Sequence, residues 1–117
     1  MLYTGEYFLN NAMALLCYSL NERISAKSVS LINLVYSDLW HICGEGEFEP
    51  LKSVKQTLKL PERVLADVFV YGLAMFLAQS EEDTEQQSFY SFTYAQKRAS
   101  LSKMDKITDV SYLGGVL

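Results

Sequence analysis

Histidine and tryptophan occur once each, and proline and cysteine twice each, in this chain of 117 residues. Each scarcity removes a class of function. His41 sits between Trp40 and Ile42 with no second ligand in sequence reach, so it is read as a packing or partly exposed histidine rather than a metal ligand or general base. Cys17 and Cys43 form no CxxC and no Cys/His cluster, and both are expected as reduced core thiols. The glycines are scattered and make neither GxxxxGK[ST] nor GxGxxG, which removes the usual phosphate cradles. No nucleophile elbow is present. Neither an enzyme, nor a cofactor, nor a metal site is therefore expected. Basic residues are also short: ten Lys and Arg against fourteen Asp and Glu give a net charge of -4, the wrong sign for a protein whose main work is gripping duplex phosphates.

Long apolar runs are few. The longest, VFVYGLAMFLAQ at 68–79, is broken upstream by Asp67 and falls short of the roughly 20 residues a bilayer core demands. No basic stretch followed by an apolar one opens the sequence, so no export signal is expected. What remains is ordinary globular material, half hydrophobic and one-fifth charged, enough for one core. The apolar run is read as a helix covered on most sides.

Periodicity supplies the other elements. Thr4 is a candidate N-cap with Glu6 in the first turn, and Leu9, Met13, Leu16 and Leu20 follow at intervals of a helical stripe. A polar break from Asn21 to Ser25 precedes a second helix capped by Ser28, carrying Ile32, Val35, Leu39 and Ile42 and ended by Gly44 in the left-handed conformation. Residues 45–54 are read as a solvated loop pinned by Phe48 and Leu51; Glu45, Glu47 and Glu49 lack the ligand register of a calcium loop. Lys52, Lys55, Lys59 and Arg63 would line one helical face, but Pro61 interrupts it, so a short turn and a wet surface are expected. A central helix then spans 61–80, with Gly72 calling for close approach by a neighbour. Thr84 and Gln87 suggest a capping box for a last helix ending near Asp105. The expected fold is all-α: four main helices over residues 1–106 and an extended C-terminal arm over 107–117.

The order of these pieces resembles a known family. ALLCYSLNERISAKSVSLINLVYSDLW followed by EPLKSVKQTLKLPERVLADVFVYGLAMFLAQSEEDTEQQSFYSFTYAQKR is similar to the small helical head-tail connector (adaptor) proteins of tailed bacteriophages. The likeness runs from Leu15 to Arg98. It implies a non-enzymatic virion protein of the neck, assembled in the host cytoplasm, which closes into a homo-oligomeric ring beneath the portal. Such a ring meets further neck and tail proteins and lets DNA pass without reading it; no membrane is involved. By this resemblance the C-terminal arm docks on the portal. Its apolar residues Ile107, Val110, Tyr112, Leu113, Val116 and Leu117 are the candidate contacts, by strand addition. Lys97 and Arg98 are candidates for lateral pairs with Glu81, Glu82 and Asp83 of an adjacent copy. The alternative readings are a small helical regulator or inhibitor of one host or mobile-element protein and, behind it, a DNA-binding repressor.

Overall fold

The computed structural model describes residues 3–112, and side chains as far as Leu101. Five helices follow one another: α1 (Gly5–Leu16), α2 (Glu22–Cys43), α3 (Glu62–Asp67), α4 (Phe69–Ser80) and α5 (Thr84–Tyr112). The fold is all-α. The apolar run seen in the sequence is α4, and it lies against each of the other four helices. Leu73, Ala74, Leu77 and Ala78 are wholly buried on it. Phe69 stacks tilted on Phe8 of α1, ring centroids 4.6 Å apart, joining two helices distant in sequence.

Thr4 caps α1 as expected, accepting from the Tyr7 amide at 3.1 Å. The end of that helix differs. Cys17 turns left-handed at φ 60°, and the Cys17 and Tyr18 amides donate back to the carbonyls of Ala14 and Met13. This is a Schellman closure with cysteine in glycine's usual place. The stripe therefore stops at Leu16: Leu20 is 58 % exposed, and Cys17 is an exposed thiol rather than a core one, while Cys43 is half-buried.

Further boundaries move for physical reasons. Asn21, not Ser28, caps α2, its Oδ1 accepting from the Ile24 amide at 2.8 Å; Ser28 lies buried inside the helix and donates to the Ser25 carbonyl. Gly44 does end α2, but with φ -79° it is not left-handed. Glycine is needed there because a Cβ would sit 2.1 Å from the Trp40 ring. The helix expected over 61–80 is interrupted at Val68, φ -114°, without a glycine or proline to mark the break. Val64, Leu65, Val68 and Phe69 are all buried around it.

Asp83 rather than Thr84 opens α5, accepting from the Gln86 amide while Gln86 Nε2 returns to its Oδ2 at 2.8 Å. At the far end the backbone stays helical to Tyr112, so 107–112 continue α5 instead of starting an extended arm. No glycine or proline occurs between Thr84 and Tyr112, and nothing there breaks a helix. Leu113, Val116 and Leu117 lie outside the described residues.

The segment between α2 and α3 is irregular but fastened. Both groups of the Asn33 amide hold the backbone of Leu51, at 2.9 and 2.8 Å. Tyr36 Oη accepts from the Lys59 amide, and Phe48 meets the edge of Tyr36 at 5.2 Å between centroids. The loop returns the favour to α1: the Gln56 and Val54 carbonyls accept from the amides of Gly5 and Glu6, first-turn donors that no helix can satisfy internally. Lys52, Lys55 and Lys59 are exposed along this loop, so with Arg63 in α3 they share no helical face.

Candidate functional site

Three polar clusters tie the bundle together, and they absorb most of the residues expected to make lateral contacts. At the α4–α5 turn, Glu81 receives both Arg23 and Lys27 of α2. Those two hydrogen bonds hold its carboxyl down at about 2, against an ordinary 4.5. Beside it, Asp83 accepts from Tyr18 Oη at 2.7 Å, which with Gln86 lowers the carboxyl; burial and this same carboxylate push the Tyr18 phenol well above its usual range.

The second cluster joins α2 to α5. Asp38 accepts from Tyr94 Oη at 2.6 Å and from Arg98 Nε and Nη2 at 2.7 and 2.9 Å. Burial alone would raise the Asp38 carboxyl, but the hydrogen bonds from Arg98 and Tyr94 outweigh it and leave it lowered. For Tyr94, burial and the adjacent carboxylate act in one direction and raise the phenol far above its usual range. In the third cluster Lys97 reaches Asp67 at 2.9 Å and lies 5.1 Å from the centre of the Tyr71 ring. Glu81, Asp83, Lys97 and Arg98 thus already hold partners inside the chain; using them between copies would mean exchanging those pairs. Glu82 is exposed on the turn at φ 59°.

A pH experiment follows from the first cluster. A carboxyl whose folded value is depressed stabilises the fold above its unfolded value and loses that contribution as pH falls through the folded one. For Glu81 the window runs from about 4.5 down to about 2. Glu81→Gln should melt below the parent at pH 7, and the gap between the two melting temperatures should close as pH falls from 4.5 to 2. Because Arg23 is largely exposed, the gap is small and shrinks with added salt.

Two other features remain open. A shallow cavity of about 230 Å³ lies beside the α2–α3 loop, lined by Tyr36, Trp40, Glu45, Glu47 and Glu49. Among the described residues no group of three or more His, Cys, Asp or Glu is arranged to hold a metal ion, and no helix is long and apolar enough to cross a membrane. The outward face of α5 is the second feature. Phe89 and Phe92 are 63 % and 66 % exposed there, large apolar side chains that the sequence pattern alone would place in a core.

The candidate docking residues of the C-terminus fall partly on α5. Asp67 lies opposite Lys97, and Ser80 and Thr84 are joined by a tight turn. At that antiparallel register Glu62, where α3 starts, comes opposite position 102. Ile107, Val110 and Tyr112 therefore belong to the part of α5 that exceeds the combined length of α3 and α4, with Ile107 and Val110 three residues apart on the helix. No family model, no curated protein and no solved structure matches this chain.

Proposed function

We propose that this chain is a non-enzymatic assembly protein of the tailed-phage head-tail connector kind. Copies gather as a ring on a portal in the virion neck, and each docks through the C-terminal end of α5 and the residues that follow. The observation that carries this reading is the overrun of α5. Its 29 residues extend for roughly 43 Å at about 1.5 Å per residue, whereas α3 and α4, against which it packs, together span only 62–80. A helix longer than the elements it packs on has an end free to meet another molecule. Docking then uses a helix face rather than the strand addition expected from the sequence. DNA passes through the ring without sequence-specific contact, in keeping with the net charge of -4.

Deleting residues 107–117 tests the proposal. Among the described side chains the last buried one, Leu101, is kept, so the shortened chain should lose only the helix of its final turns and retain its melting temperature. The full chain mixed with a portal should form a ring-sized, portal-dependent assembly, and the shortened chain should leave the portal bare. A tight one-to-one complex with a cellular protein and no response to a portal would instead select the regulator reading.

A further inference from the structure

The exposed face of α5 has a pattern of its own. Glu85, Phe89, Phe92, Gln96 and Ala99 are all exposed, and with Lys103 they recur at alternating intervals of four and three. That is the spacing of a helix–helix seam, not of a solvated surface. Between Glu85 and Lys103 the only charged residues of α5 are Lys97 and Arg98, and both are committed inward to Asp67 and Asp38. Four turns of outward surface therefore carry no free charge, while two phenylalanines stand in water. An apolar strip of this kind marks a contact surface.

The strip is complementary to itself when reversed. Laid antiparallel against a second copy, Glu85 meets Lys103, Phe89 meets Ala99 and Phe92 meets Gln96, and the two-fold axis repeats each pairing. Every large side chain faces a smaller one, and opposite charges close both ends. In a parallel pair the same strip would set Phe on Phe, Glu85 on Glu85 and Lys103 on Lys103. We infer that the free chain forms a two-fold dimer with a second copy of itself, α5 packed antiparallel on α5 in this register. A two-fold contact closes on itself and cannot propagate around a ring. The inference is thus separate from the connector proposal and stands or falls without it.

Sedimentation of the full chain over a concentration series tests it. The parent should pass from monomer to dimer with a Kd on the order of micromolar, as suits a small interface. Phe92→Glu should weaken the dimer by about a hundredfold or more with unchanged helicity, since Phe92 contributes nothing to the core. Glu85→Lys and Lys103→Glu should each weaken it about tenfold, because each turns two attractions into two repulsions. Mixed in equal amounts, these two charge variants should recover the parental affinity as a heterodimer; in a parallel pair neither single change would weaken the dimer, and the mixture would bind more tightly than the parent. A parent that stays monomeric at about 100 times that Kd, or a mixture no tighter than its components, overturns the inference.

Discussion

Gly72→Ala lowers the melting temperature by roughly 10 °C, corresponding to a loss of about 2 kcal/mol in a domain of this size. The sign is the opposite of what helix propensity gives, since alanine in a helix interior gains about 1 kcal/mol over glycine. Packing decides the matter. A Cβ on Gly72 would stand 2.7 Å from Tyr94 Cε1 and 2.9 Å from Val35 Cγ1, well inside van der Waals contact. Neither neighbour can yield cheaply: Val35 is wholly buried on α2, and the Tyr94 ring is held by its hydroxyl on Asp38. Thermal melts of Gly72→Ala and of Gly72→Ala with Val35→Ala check this. Val35→Ala alone should cost stability by opening a cavity, yet it should cost distinctly less in the Gly72→Ala background, where it relieves one of two clashes. A Gly72→Ala variant as stable as the parent would show that α4 does not approach α2 and α5 this closely.

Asp38→Ala should cost about 2 kcal/mol. Three donors converge on this one carboxylate, and its loss strands them unequally. Arg98 is partly exposed and regains water. The Tyr94 hydroxyl belongs to a side chain only 5 % exposed and loses the acceptor of its proton, since the neighbouring Arg98 guanidinium can only donate. Most of the penalty therefore passes through Tyr94, and a double-mutant cycle measures that share. In chemical denaturation Tyr94→Phe should destabilise the parent by about 1 kcal/mol but have almost no effect once Asp38 is alanine. Asp38→Asn, which keeps an acceptor and drops the charge, should fall between parent and alanine. Additive single effects would mean that the hydroxyl and the carboxylate are not coupled.

How much of this could be read beforehand depends on the range of the interaction. Thr4 as a cap, α4 as the hub, Phe48 and Leu51 as loop anchors and Gly72 as a point of close approach all follow from local chemistry. Boundaries slipped where the sequence offers competitors: Asn21 and Ser28 are both good caps, as are Asp83 and Thr84, and the earlier residue won each time. The left-handed Cys17 was hidden because glycine is the usual marker of such an ending. The pairing of Asp38 with Arg98, or Glu81 with Arg23 and Lys27, spans more than fifty residues and has no local signature. In the sequence Lys97 and Arg98 accordingly stand as free to face a neighbour, whereas the fold engages them with Asp67 and Asp38. The sequence does not single out the outward stripe of α5, because spacing alone does not say whether a stripe faces inward or outward; Tyr90, Tyr94 and Leu101 took the inward side.

The position of α4 at the centre also imposes an order on synthesis. α1 and α2 leave the ribosome with their apolar sides already made but with the helix that covers them still untranslated. Sixty-four residues separate the end of α1 at Leu16 from the end of α4 at Ser80, an interval of several seconds at roughly 5–20 residues per second. During that time the amino-terminal half has only itself, or a chaperone, for shelter. The fastening of the α2–α3 loop onto α1 then acts as an early clasp, keeping the nascent helices side by side until their common partner arrives.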